Sequence, residues 1–397
     1  MYPEGVYFMI YAIPYIAVFI AVLFLSLIEE YNSQCLTLRK DTKMLSVIIF
    51  TLGLFVFLGL RGLIGMDWTV YKEWYDVIPE KFSIKDFVDI RKTLPMEAGW
   101  NYFTIICRYL KFDYVAFQML NFVIDFVLLY LIAVRYQKDH ILLFFAFFLA
   151  LQGYTFSLII LRNSKAIYIF ILSLKYIKEK KFFRYEILCI IAFFFHRSAL
   201  ICMPLYFILG RRYDRHLVIA FFILGMTVFI LQINWAQNFM SWLVKVLPDT
   251  PAKVKLTGYL QNSYYSGKFG LTLGGLERFV TFILFYKFQN ILIGEDDEYI
   301  VEWNCYLLFI YVMLYFNDFY IIIERIPNYF IFTYWIFYPK LISRMDKPTK
   351  IIAYICFITY GILRVFVTTD ERYYKYENIL TGISTAEERL DKYGYEE

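Results

Sequence analysis

"EILCIIAFFFHRSALICMPLYFIL", residues 186–209, is apolar enough to enter a bilayer, yet it carries His196, Arg197 and Ser198 at its centre and has basic clusters on both flanks. A hydrocarbon core about 30 Å thick takes roughly 20 apolar residues to cross. Lysine and arginine concentrate in cytoplasmic loops. A simple span therefore satisfies only one of the two flanks, 175–184 or Arg211, Arg212 and Arg215. A segment that enters from the cytoplasm, turns at His196-Arg197-Ser198 and returns satisfies both. Two half-helices of about ten residues would each reach roughly 15 Å, setting the turn near mid-membrane. Irregular backbone is tolerated there only where protein shields it or it lines a water-filled cavity. One ordinary span with a buried polar kink is the competing reading.

The rest of the 397-residue chain fits the same class, since 60% of it is hydrophobic and 22% aromatic. Apolar runs occur near 6–28, 44–60, 113–134, 140–158, 162–177, 215–234, 275–293, 300–317, 319–343 and 350–368. The first lacks a basic leader and a small-residue cleavage site, so it reads as a retained span rather than a signal peptide. The expectation is an all-α integral membrane protein of about ten transmembrane helices plus a re-entrant helical hairpin. Residues 1–368 form one polytopic membrane domain with both termini outside. Two long segments, 61–112 and 235–274, face the exterior, and 369–397 is an external tail. "WAQNFMSWLVKVL", 235–247, reads as an interfacial helix, and "STAEERL" offers Ser384 and Glu387 as a capping box.

A net charge of +5 spread over short loops is a topology signal, so no nucleic-acid partner is expected. Of six cysteines, Cys189, Cys202, Cys305 and Cys356 lie in apolar segments, while Cys35 and Cys107 are far apart. Neither a disulfide framework nor a metal spacing emerges. No phosphate-binding loop, nucleophile elbow or paired-histidine zinc motif is present. On this topology Arg61, Arg162, Arg278 and Arg325 all fall on the outer side. A planar guanidinium pairs with phosphate oxygens through two parallel bonds and stays charged, so several such groups suit a diphosphate. Asp67, Glu97, Glu277, Asp318 and Glu324 are nearby acids, and Asn121 and Asp125 share one helix face, with Asp125 the deeper and a candidate internal salt-bridge partner. His196 is the one histidine well inside an apolar segment rather than at its edge, and can accept a proton from a hydroxyl, or hold the turn by hydrogen bonds.

"RGLIGMDWTVY" (61–71), "MEAGWNYF" (96–103), "LRNSKA" (161–166), "FHRSAL" (195–200), Arg278 in "LERF" and "ERIPNYF" (324–330) together resemble the EpsG-like, Wzy-type polysaccharide polymerases. Asn163 stands where that family more often has glutamine, and Lys165 is unusually polar for its place. The resemblance implies a glycosyltransferase of the all-helical GT-C kind, multi-pass in the bacterial plasma membrane, with its active site facing the periplasm or exterior. Its substrates would be undecaprenyl-diphosphate-linked oligosaccharides, with a chain-length regulator, a flippase of the same pathway and membrane lipids as further partners. The growing glycan would pass from its lipid diphosphate to a hydroxyl of the next unit, with inversion and without cofactor or metal. In that scheme Arg162, Arg278 and Arg325 bind diphosphate, and His196 takes the acceptor proton or orients the hydroxyl while Glu324 or Asp67 takes it. Arg61, Asp67 and Trp68 form the rim. A flippase or transporter of the same lipid, or another external-face transferase such as an O-antigen ligase, remains the alternative.

Overall fold

The computed structural model describes residues 11–33, 39–262, 267, 270 and 272–393. Residues 6–10 of the first apolar run, Cys35 and parts of 263–271 lie outside the described residues. The chain is mostly helical and divides into two compact units, one of 1–172, 187–200 and 338–397, the other of 173–186 and 201–337.

Among the described residues, four helical segments of the first unit are long and apolar enough to cross a membrane: Ile13–Glu30, Tyr114–Gln137, Ile141–Leu158 and Lys347–Thr369. The third is broken where Gln152 takes φ of 83°. Aromatic rings pack the bundle, with Phe147 stacked on Phe357 at 3.7 Å and Phe19 edge-on to Phe357 at 5.6 Å. Segment 61–112 is folded into short helices, Trp68–Asp76, Phe87–Thr93 and Ala98–Tyr109. Trp68–Asp76 and Ala98–Tyr109 close over a buried cluster of Trp68, Tyr71, Tyr75, Trp100, Tyr114 and Phe117, where aromatic pairs gain edge and offset contacts beyond area burial, and Phe87–Thr93 packs on a second cluster of Ile78, Leu94 and Ile105.

The helix Arg39–Leu54 continues as a π-turn, Phe55–Gly59, and ends against the C-terminal segment. A helix end leaves its last carbonyls without partners, and here those carbonyls are met individually. Asn378 Nδ2 donates to Val56 O at 2.7 Å, Tyr376 Oη to Phe57 O at 3.0 Å, and the Ile379 amide to Leu60 O at 2.9 Å. Arg61 Nη1 donates to Leu58 O at 2.6 Å. In the following turn Gly65 has φ of +94°, and a Cβ there would lie 2.9 Å from the Leu158 carbonyl oxygen, so only glycine fits. The C-terminal segment is itself tied by Arg389, which pairs with Glu377 at 3.0 Å and donates to the Lys375 carbonyl at 2.7 Å. Its last helix, Ala386–Tyr393, is capped one residue later than the sequence suggests. Thr385 and Glu388 exchange the two capping bonds, at 3.2 and 2.9 Å, because Ser384 is engaged by Glu377.

In the second unit, helices Arg215–Ile230 and Trp235–Val246 meet at 81°. The latter exposes Phe239, Trp242 and Val246 on one side, as an interfacial helix does. The run 275–293 is a helix Leu273–Lys287 with a short continuation, Gln289–Ile293. The run 319–343 is cut at Pro327 into Tyr320–Arg325, a 3-10 turn and Phe332–Ser343. Proline lacks the amide that would continue the helix.

At 186–209 the chain reverses. The helix Phe182–Phe195 gives way at His196 to a 3-10 run Arg197–Leu205 containing Pro204, then to Tyr206–Leu209. Tyr185 Oη donates to Cys202 O at 2.6 Å across 17 positions, which a straight helix would hold about 26 Å apart. Phe182 meets Tyr206 at 5.0 Å and Phe207 at 5.7 Å. The segment is thus a helical hairpin rather than one kinked helix.

The Glu377 carboxyl is pushed up by burial, but hydrogen bonds from Ser384 and the charge of Arg389 more than offset this and hold it below the ordinary carboxylate range. Its contribution to stability is present in full above about pH 4.3 and is lost as pH falls through the lowered value. Arg389→Met should destabilise by about 3 kcal/mol, seen as a lower thermal midpoint of the purified protein at pH 7. The difference from wild type should shrink once the pH is low enough to protonate Glu377.

Candidate functional site

The tip of the hairpin lies in the first unit beside two other elements: the first turn of the helix Leu161–Ser173 and the residue that precedes the helix Ala98–Tyr109. What brings them together is Gly99. A Cβ at this position would sit 2.8 Å from the Phe194 carbonyl oxygen, so the absence of a side chain lets the helix N-terminus approach the hairpin. Glu97 then faces the tip.

Arg162 Nη1 forms an ion pair with Glu97 Oε2. The other carboxylate oxygen accepts from the Arg197 amide at 3.4 Å, with the Arg197 guanidinium Nε at 3.9 Å. Arg162 also lies 5.9 Å from the centre of the buried Tyr71 ring, a cation–π geometry that fixes the guanidinium plane. Its Nε is buried and has no hydrogen-bond partner among the described residues. Burial pushes the Glu97 carboxyl up, but the Arg162 charge outweighs it, with His196 and the Arg197 amide adding to the effect, and Glu97 is held below the ordinary carboxylate range. One carboxylate therefore stands against two guanidiniums and an imidazole. The tip is cationic.

His196 Nδ1 lies 2.6 Å from Ser198 Oγ, and Ser198 Oγ lies 3.3 Å from Asn163 Oδ1. Ser198 Oγ has one proton to give. When Asn163 Oδ1 accepts it, Nδ1–H is the donor of the short contact and the Nε2 lone pair is the basic one. The Ser198 amide, 3.3 Å from Nδ1, favours the other tautomer, as would the opposite orientation of the Asn163 amide, whose N–H would then donate to Ser198 Oγ. Asn163 and Ser198 thus set which ring nitrogen carries the proton.

One turn further, Lys165 is buried and pairs with Asp125 at 3.1 Å, with Ser164 Oγ also donating to Asp125 at 3.1 Å. Its ammonium sits 5.3 Å from the Trp100 ring centre. This buried pair accounts for a lysine in an apolar environment, since an unpaired charge there would carry a heavy desolvation cost.

The remaining residues singled out from the sequence fall as follows. Arg61 is 2% exposed and its guanidinium serves the Leu58 carbonyl. Trp68 is buried in the aromatic cluster, and Asp67, half-buried, precedes its helix without capping it through the side chain. The second unit carries Arg278, whose guanidinium lies over the Phe309 ring at 5.2 Å. It also carries Arg325, whose Nη1 donates to Tyr259 Oη at 3.2 Å, and the exposed Glu324. Asp318 accepts from the Gln237 amide at 3.0 Å and Glu277 from Thr281 at 2.7 Å. No group of three or more histidine, cysteine, aspartate or glutamate side chains among the described residues is arranged to hold a metal ion.

A model of the EpsG family matches residues 44–378, most of the chain and all of the elements just described. The chain belongs to the EpsG family. No curated protein and no solved structure matches it. In this EpsG-family chain, Asn163, Ser198 and Gly99 are positions whose use was not evident from sequence. The polar serine after "FHR" and the glycine after "MEA" were the available signals.

Gly99→Ala should destabilise the protein by about 1 to 3 kcal/mol through forced displacement of the Phe194 backbone. Gly53→Ala, where nothing lies within 4 Å of the added Cβ, should instead stabilise by about 0.5 to 1 kcal/mol. Thermal unfolding of the two variants in one detergent tests the contrast.

Proposed function

We propose that this EpsG-family protein is a polysaccharide polymerase that joins lipid-linked oligosaccharide repeats at an external face of the plasma membrane. The carrying observation is the cationic tip, where Arg162 is held by Glu97 beside His196 in a reversed, apolar-flanked hairpin. On the proposed orientation the hairpin enters from the cytoplasmic side, so its tip meets an externally accessible cavity rather than lipid. About ten spans and a GT-C-like architecture belong to the same reading.

In the transfer, the acceptor hydroxyl oxygen forms a bond to the anomeric carbon of the donor glycan as the bond from that carbon to the diphosphate oxygen breaks. The diphosphate leaves with the bonding electron pair and inversion results. His196 takes the acceptor proton on Nε2 while Nδ1–H donates to Ser198, which donates to Asn163. The imidazolium so formed is offset by Glu97. Arg162 binds diphosphate oxygens through its fork and stabilises the charge that develops on the leaving group, where a preoriented cation in a water-poor site is most effective. Arg278 and Arg325, which belong to the second unit, are further proposed ligands of a lipid diphosphate. Glu324 and Asp67 are the alternative carboxylates for the proton, with His196 then orienting the hydroxyl, and Arg61 and Trp68 support the rim. A diphosphate leaving group needs no protonation, so no carboxylate pair of the glycosidase type is required. The lipid-diphosphate bond supplies the driving force, and undecaprenyl diphosphate is the proposed carrier.

Deleting the gene and complementing it with Arg162→Ala or His196→Ala should collapse the host's surface-glycan ladder to a single repeat, with protein levels matched to wild type. Ser198→Ala and Asn163→Leu should shorten it by lowering turnover about tenfold to a hundredfold. Loss of all exported glycan with lipid-linked repeats trapped inside would identify a flippase instead. An unchanged ladder would remove Arg162 and His196 from the reaction.

A further inference from the structure

The three arginines assigned to diphosphate differ in what surrounds them. Arg162 stands among Glu97, Tyr71 and the His196 relay, and Arg325 donates to the Tyr259 hydroxyl. Arg278 borders an apolar cavity, of about 270 Å³, between the C-terminal turns of Arg215–Ile230, the N-terminal turns of Leu273–Lys287 and the C-terminal turns of Ile300–Tyr315. Arg278 is its one charged lining residue, and the others include Phe222, Met226, Ile230, Leu276 and Phe279. The mouth is apolar too, since Ile230 and Leu276 are 67% and 52% exposed. Phe222 is pinned from behind by Phe282, stacked at 3.6 Å, so the wall is built rather than collapsed.

We propose that this groove holds the prenyl chain nearest the phosphate of a lipid-linked substrate, with Arg278 against the phosphate. The inference rests on the polymerase reading for the identity of the lipid and deepens it by separating the lipid end of the substrate from its sugar end. A groove that joins continuous apolar walls to one fixed cation matches an amphiphilic anion: the chain removes the walls from contact with other lipid or water, and the phosphate meets the guanidinium. A free phosphate would leave the walls unused, and a sugar would find no hydrogen-bonding side chain on them besides Arg278. On the proposed orientation all three helix ends face outward, at the depth of the outer leaflet where such a chain would lie.

The test uses the full chain in phosphatidylcholine nanodiscs with radiolabelled farnesyl diphosphate as the probe. Leu276→Trp, at an exposed position that tolerates a larger side chain, narrows the groove and should weaken binding at least about tenfold, as should Ile230→Trp. Arg278→Gln should weaken both farnesyl diphosphate and inorganic pyrophosphate, whereas the two tryptophan variants should leave inorganic pyrophosphate unaffected. Ile352→Trp, on the exposed face of Lys347–Thr369, should change nothing. Unchanged farnesyl diphosphate binding in both tryptophan variants would overturn the proposal, as would displacement of the probe by phosphatidylglycerol as effective as by unlabelled probe. Binding is read without turnover, so a failed polymerase assignment and a failed lipid groove give different results.

Discussion

The pairing of Arg162 with Glu97 is the constraint on which the first unit's chemistry depends. A guanidinium set into apolar helices is costly unless a partner and an aromatic face hold it, and here Glu97 and Tyr71 do so. The carboxylate in turn anchors the hairpin tip through the Arg197 amide. A single acid therefore fixes a helix start, a hairpin and a cation together. Because it is outnumbered by positive groups, the place it organises still favours an anion.

The hairpin's position follows from glycine and proline as much as from charge. Gly99 allows the backbone of Phe194 to come within contact of the helix Ala98–Tyr109, while Pro204 lies in the 3-10 return strand of the hairpin where an α-helical hydrogen bond is not needed. At the other end of the unit, the C-terminal segment meets the carbonyls left by the π-turn at Phe55–Gly59. Buried backbone groups of this kind must find partners, and the segment supplies them from Tyr376, Asn378 and Ile379.

Much of this was legible in the chain. The reversal at 186–209 follows from basic clusters on both flanks of an apolar run, and the broken run at Pro327 follows from proline chemistry. Glu97 was visible only as one of several acids, because it lies 65 positions from Arg162 and no local periodicity links them. Arg61, at the end of an apolar run, looks like a rim residue. It is buried just beyond the π-turn Phe55–Gly59 with its guanidinium on the Leu58 carbonyl, and a π-turn is a one-residue slip in helix register that leaves no mark on hydrophobic spacing. The cap at Thr385 rather than Ser384 was undecidable by pattern, since both positions have glutamate three residues on. The choice was made by Glu377, which draws Ser384 away. The chemistry of the tip, where Ser198 links His196 to Asn163, leaves no local pattern in the sequence because the three residues come from two separate segments.

The most direct test of the central claim is the initial rate at which purified protein in nanodiscs converts one synthetic lipid-linked repeat into the doubled product. Arg162→Lys preserves charge but removes the planar fork, and Glu97→Gln removes the acid that holds it. The account predicts that each variant lowers the rate at least about tenfold while remaining folded. Wild-type rates in both would contradict a transfer site built on this pair.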